Sequence, residues 1–190
     1  MSTNTTSVWR KKLKELEIVV VIPTYNNGKT LAAVIEEVCR YADDIIVVND
    51  GSTDDTANIL EQYPAIRTIT HPVNKGKGTA LKHGLSQAKK EGFRYAITID
   101  SDGQHFASDI PCFIEAIEKE PDTLLVGARN LASDNMPGKN TFANKFSNFW
   151  FRLETGLKLE DTQSGYRLYP LRKMDVHSCW YPAKYEFELE

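Results

Sequence analysis

The sequence predicts an α/β domain with a mostly parallel central sheet and helices on both faces. Strand-like and helix-like segments alternate five times between Ile18 and Gly127, the pattern of a sheet wound with crossover helices. The strand-like segments include short, continuously apolar, β-branched runs, which marks strands covered on both faces. Three of them end in polar clusters, Pro23 to Asn27, Asn49 to Ser52 and Asp100 to Gln104. Ligands of open parallel sheets bind at that rim, at the carboxyl ends of the strands.

Met1 to Ser7 is polar and predicts a disordered start. Val8 to Glu17 predicts a short basic amphipathic helix with Trp9, Leu13 and Leu16 on one side, packed on its own domain or touching a membrane surface. Ile18 to Ile22 is the first strand. Pro23-Thr24-Tyr25-Asn26-Asn27-Gly28 turns into a helix from Thr30 to Arg40, carried by Leu31, Val34, Ile35 and Val38. Ile45 to Val48 is the second strand, and Asn49 to Asp55 is a polar turn capping a helix to about Leu60. Ile66 to Thr70 is a third, edge-like strand. Lys75-Gly76-Lys77-Gly78 opens a helix to about Lys90. Tyr95 to Ile99 is the fourth strand, Asp109 to Lys119 a helix, and Thr123 to Gly127 the fifth strand.

After Gly127 the alternation stops. Ala128 to Lys139 reads as a loop long enough to be functional. Thr141 to Thr155 has helical spacing that puts Phe142, Phe146, Phe149 and Leu153 on one face. That face is a core face; Trp150 and Phe151 widen the stripe and offer a surface to a lipid-like partner. Asp161 to Tyr169 is a turn feeding a strand. Tyr185 to Glu190 reads as the start of a helix, so the sequence is expected to stop before the protein's natural end. The organisation is an extension over residues 1–17 and one domain over 18–190.

Bulk properties exclude several classes. The 190 residues carry a net charge of -3, which gives no footprint for nucleic acid. No apolar run approaches the roughly 20 residues of a membrane helix. The three cysteines, Cys39, Cys112 and Cys179, are far apart and odd in number. They predict reduced thiols in a cytoplasmic setting, without a disulfide framework or zinc site.

The chemistry centres on Tyr95-Ala-Ile-Thr-Ile-Asp-Ser-Asp-Gly-Gln-His105. Residues two apart on extended backbone face the same side, so Asp100 and Asp102 are expected to share one crevice. Two like charges that close are costly without a positive charge between them. A hard divalent cation with oxygen ligands fills that role. Gln104 adds a neutral oxygen, and Gly103 lets the chain turn. Two partial nucleotide motifs fail. Asn27-Gly28-Lys29-Thr30 resembles a P-loop end, but Pro23 stands where its first glycine belongs. Gly76-Lys77-Gly78 begins a dinucleotide fingerprint, but Leu81 takes the third glycine position. Small residues and a lysine opening a helix still suit a phosphate.

As a set, Ile22-Pro-Thr-Tyr-Asn, Val48-Asn-Asp-Gly-Ser-Thr-Asp-Asp-Thr, Asn74-Lys-Gly-Lys-Gly, Asp100-Ser-Asp-Gly-Gln-His and Asp161-Thr-Gln-Ser-Gly-Tyr-Arg resemble the family 2 glycosyltransferases. They look most like the branch of dolichyl-phosphate mannosyltransferases and related polyprenyl-phosphate glycosyltransferases. The resemblance runs from Ile18 to Glu190. It implies a GT-A fold and inverting transfer from a UDP- or GDP-linked sugar. It implies a nucleotide-sugar site of Pro23, Thr24, Tyr25, Asn27, Asp50, Gly51, Ser52, Lys77, Gly78, Asp100 and Ser101. Asp50 would accept a hydrogen bond from the base, and Asp100, Asp102 and Gln104 would hold Mg2+ or Mn2+ on the diphosphate. The chain departs from the branch at Asn27, where Glu is frequent.

The implied catalytic set is Asp102, Asp161 and Arg167. If the acceptor is a polyprenyl (dolichyl- or undecaprenyl-type) phosphate, it is ionised near neutrality and needs positive charge to hold it. Arg129, Lys139 and Arg167 are the candidates, and the setting is the inner face of the membrane. If the acceptor is a sugar hydroxyl of a cell-envelope polysaccharide, a carboxylate base is required: Asp161, with Glu188 behind it. Arg167 has the alternative of a structural ion pair with Asp161. Two other readings remain: a nucleotide-sugar-binding module without turnover, and a nucleotidyltransferase with paired acids on a similar sheet.

Overall fold

The computed structural model describes residues 3–127 and 164–174. Helix α1 (Thr3–Glu15) leads into strand β1 (Ile18–Thr24), α2 (Gly28–Val38), β2 (Ile45–Asn49), α3 (Thr56–Glu61) and β3 (Arg67–Thr70). Then come α4 (Lys77–Lys90), β4 (Tyr95–Thr98), a 3-10 turn (Ala107–Asp109), α5 (Ile110–Lys119), β5 (Leu125–Val126) and β6 (Arg167–Pro170). Helix α1 starts well before Val8 and takes in most of the stretch expected to be disordered. Its inner side explains this. Leu13 is buried in the core, and Trp9 and Leu16 pack against it. Tertiary contact of this kind outweighs a weak intrinsic helix preference.

The strands form one sheet in the order β3-β2-β1-β4-β6-β5. β1 pairs in parallel with β2 and β4, and β2 with β3. β1 is central and buried along its whole length. Alternate residues serve opposite faces. Ile18, Val20, Ile22, Val47 and Ile97 meet Leu31, Ile35, Ile110 and Ile114 of α2 and α5. On the other face Val19, Val21, Ile46 and Val48 meet Ala80, Leu81, Leu85 and Ala88 of α4. β3 alternates between half-buried and exposed, as an edge strand should.

The fifth strand differs from expectation. It is short, and although it runs in the same direction as β1 to β4 it pairs with none of them. β6 lies between β4 and β5 and runs antiparallel to both. The right-handed parallel crossover applies to strands joined through a βαβ unit. β6 follows the non-alternating stretch instead, so it can return in the opposite sense. Its arrival sets the backbone of Ser164 to Tyr166 beside the end of β4: the Thr98 hydroxyl donates to the Gly165 carbonyl at 2.7 Å.

Candidate active site

The carboxyl ends of β1, β2 and β4 open into a cavity of about 660 Å³. Pro23, Thr24, Tyr25 and Asn27 line it from the first strand and its turn, and Asp50 from the second. Asn74, Gly76, Lys77 and Ala80 line it from the start of α4, and Asp100, Ser101 and Asp102 from the end of β4. Its size is that of a small-molecule site.

The acid pair is held by a turn rather than by extended strand. β4 ends at Thr98, and Ser101 and Asp102 lie in a turn. Ser101 is buried and tied to the first turn: Asn27 Nδ2 donates to its hydroxyl at 2.8 Å, and the Thr30 hydroxyl donates to its carbonyl at 2.6 Å. With Ser101 anchored below, Asp100 and Asp102 both reach the cavity. Asp102 is exposed and accepts the Gln104 N–H at 2.9 Å, which closes the turn. Asp100 is more enclosed. Lys77 Nζ donates to its Oδ2 at 3.0 Å, and His105 Nε2 lies 3.9 Å from the same oxygen. Gly165 backs it closely enough that a Cβ there would meet Asp100 Oδ2 at 2.3 Å.

Asp50 organises the other end. It is 1% exposed. Its Oδ1 accepts the Lys75 N–H at 2.9 Å and faces His71 Nδ1 at 2.6 Å. Its Oδ2 accepts the Gly76 N–H at 2.8 Å. A carboxylate has about four acceptor positions, so Oδ2 retains one for a ligand N–H. This arrangement needs a glycine next to it. Gly51 has φ +71°, and a Cβ would lie 2.4 Å from the Val73 carbonyl carbon. The Asp50 turn and the loop before α4 can touch only because that side chain is missing. Asp54 joins the two helix starts, accepting from Gly28 N–H at 2.9 Å and from the Thr56 hydroxyl at 2.6 Å. The Thr56 hydroxyl foremost, against partial desolvation and helped by the Gly28 and Thr56 N–H groups, holds the Asp54 carboxyl below the ordinary range.

Of the sequence-predicted residues, Pro23, Thr24, Tyr25, Asn27, Asp50, Lys77, Asp100, Ser101 and Asp102 meet in the one cavity. Gly51, Ser52, Gly78 and Gln104 do not line it. Gly51 permits the close approach, Ser52 accepts the Asn26 N–H at 3.0 Å, Gly78 is buried in α4, and Gln104 is exposed beside the turn. Arg167 is buried in β6, also outside the lining, with Nε donating to the Ser164 carbonyl at 2.9 Å. Arg129, Lys139, Asp161, Glu188 and the aromatic stretch from Thr141 to Thr155 fall outside the described residues. Sequence reasoning missed His71, His83, Asn74 as a lining residue, and Gly165 as the support of Asp100. Among the described residues no group of three or more His, Cys, Asp or Glu side chains is placed to hold a metal. Asp100 and Asp102 supply only hard oxygens. They fit a Mg2+- or Mn2+-type ion that keeps its other positions for substrate oxygens and water, and they do not make a self-sufficient cage.

The sequence model for glycosyl transferase family 2 matches residues 19–179. The chain belongs to this family. Among its relatives is the UDP-N-acetylglucosamine--dolichyl-phosphate N-acetylglucosaminyltransferase of Methanococcus voltae, 31% identical over 88% of this chain and 74% of that protein. Another is the polyprenol monophosphomannose synthase of Mycolicibacterium smegmatis, 28% identical over 83% of this chain and 64% of that protein. A crystal structure of glucosyl-3-phosphoglycerate synthase from Mycobacterium tuberculosis, in complex with Mn2+, UDP-glucose and phosphoglyceric acid, superposes with a TM-score of 0.72. At 23% identity, over 97% of this chain and 66% of that one, it shows the fold. The fold is GT-A, as expected from the resemblance. The chain spans less than two thirds of the mannose synthase.

Proposed function

We propose that this protein transfers a sugar, with inversion, from a nucleotide-sugar to a polyprenyl-type phosphate, with a divalent cation on Asp100 and Asp102. The observation that carries the reading is the charge of the cavity. Among the described residues, Asp50, Asp100 and Asp102 line it against one lysine, Lys77, which is already bonded to Asp100. A nucleoside diphosphate entering such a site adds more negative charge, so a cation is needed between the two. The ion, when bound, would act as a Lewis acid on the diphosphate oxygens.

The chain's own residues divide the remaining work. Asp50 offers one acceptor position to a base N–H. Tyr25, 43% exposed, presents its ring at the rim. Lys77 can exchange Asp100 for a phosphate oxygen at the start of α4. The attacking oxygen comes from the face of the sugar opposite the leaving diphosphate. A phosphomonoester acceptor has a second pKa of about 6 and attacks without a general base, so the protein need only hold it. Arg129 and Lys139 are the proposed holders; buried Arg167 would shape the edge of the acceptor side. The relatives named for dolichyl phosphate and polyprenol support this acceptor class, and such an acceptor would bring the protein to the cytoplasmic face of a membrane. No helix among the described residues is long and apolar enough to cross one.

The test is incubation of the full-length protein with Mn2+, polyprenyl phosphate and a panel of labelled UDP- and GDP-sugars. A chloroform-soluble glycolipid should form with one donor. Its absence with every donor would sink the reading.

A further inference from the structure

A pair of linked imidazoles leads away from the cavity behind Asp50. His71 follows β3 and is 4% exposed, with Nδ1 2.6 Å from Asp50 Oδ1. Its Nε2 lies 2.7 Å from Nδ1 of His83 in α4. The rings meet edge to face, with an interplanar angle of 87°. His83 is exposed, so the pair runs from solvent to the cavity wall.

The proton positions follow from the partners. Asp50 already accepts two backbone N–H groups, so it is an acceptor and His71 Nδ1 donates to it. In neutral His71 the Nε2 is then bare and must accept, which makes His83 Nδ1 the donor. With both rings neutral, every hydrogen bond points toward Asp50. One extra proton is tolerated, because a single proton still lies on the axis between the rings. The carboxylate draws that extra charge toward His71. A second proton would put N–H against N–H at 2.7 Å and break the link.

We propose that His71 and His83 are positioning residues for nucleotide binding, holding the Asp50 carboxylate toward the cavity and weakening its grip on the base when the pair gains a proton. The proposal rests on the reading of Asp50 as the acceptor for a base N–H. An imidazolium on His71 and a ligand N–H compete for the same negative charge. Affinity therefore falls as the pair charges on acidification, and binding expels the extra proton. The other charges facing His83 are Lys75, from the loop before α4, and Lys82, its neighbour in the helix. Burial first, then His71 and these two lysines, keep the His83 imidazolium below the usual histidine range, with Asp50 opposing.

Calorimetric titration of UDP and of GDP with Mg2+ from acid to alkaline pH tests this, using the wild type, His83→Asn and His83→Phe. Asn keeps an N–H donor at the Nδ1 position and cannot titrate. It should bind like the wild type at pH values above the histidine range and weaken over a different range in acid, because His71 then takes the proton alone while the amide turns its oxygen to accept from it. Phe removes the donor and should bind about fivefold more weakly even there. Comparison across variants cancels the nucleotide's own phosphate titration. A shared pH profile for wild type and His83→Asn overturns the proposal, as does wild-type affinity in His83→Phe. If His83→Phe does not fold, the Asn comparison decides alone. Failure of the wild type to bind either nucleotide at any pH overturns the nucleotide site itself, and this inference with it.

Discussion

Replacing Gly165 with alanine tests how Asp100 is held. The added methyl would stand 2.3 Å from Asp100 Oδ2 and 2.7 Å from both Cγ and Oδ1. Ordinary contact begins near 3.5 Å, so the carboxylate must retreat by about 1 Å. The retreat forces its 3.0 Å bond to Lys77 to readjust and moves the carboxylate within the cavity. A displacement of about 1 Å in a reacting assembly costs on the order of 100-fold in rate. The local overpacking costs about 1–3 kcal/mol, which leaves a domain with this much buried sheet folded. The assay compares sugar transfer and the metal-dependent part of nucleotide binding in the wild type and Gly165→Ala, with thermal melting as a control. A strong loss of transfer with a modest loss of melting temperature is expected. Wild-type turnover in a folded Gly165→Ala protein would refute the view that Asp100 must sit where this glycine lets it.

Further outcomes follow from the same contacts. Gly51→Ala should cost about 2–4 kcal/mol in urea unfolding, since it combines positive φ with a clash against backbone that cannot rotate away. Asp54→Asn should lose about 1 kcal/mol near neutrality by weakening the start of two helices. Asp54's folded pKa lies below its unfolded one, so its stabilisation is full above the unfolded value and is lost as pH falls through the folded value. The melting-temperature gap between wild type and Asp54→Asn should therefore close in acid, and a constant gap would count against the bond. Asp102→Ala should remove the effect of Mn2+ on UDP or GDP affinity while weaker metal-free binding persists, read by titration with and without the ion. Tyr166→Phe should cost about 1 kcal/mol, because the buried hydroxyl donates to the Phe106 carbonyl at 3.0 Å.

The parts of the fold set by local pattern were legible. Ile18 to Ile22 and Ile45 to Val48 read as doubly covered strands because nothing polar interrupts them, and both are buried throughout. The site was legible to the same degree, since the polar clusters after these strands must share a rim once the strands are parallel. Asp100 and Asp102 do share the cavity, but by a turn pinned on Ser101 rather than by strand alternation. What stayed hidden depends on pairing across long separations. Nothing local in Arg167 to Pro170 says that it inserts antiparallel beside β4, and so nothing revealed that Gly165 supports Asp100. His71 and His83 read separately as one strand-end and one helix residue. Only the packing of α4 over β2 turns them into a linked pair behind Asp50.

The placement of β6 has a consequence for how such a protein can diversify. Val126 and Arg167 are partners in the sheet, and the Gly127 N–H donates to the Tyr166 carbonyl at 2.8 Å. The chain therefore departs and comes back at neighbouring points, next to the acid pair. Closing a longer excursion between fixed points costs only slowly more entropy. A change in chain length between two such points leaves the pairings of the described strands as they are, so variation at this seam spares the rim that carries Asp50, Asp100 and Asp102.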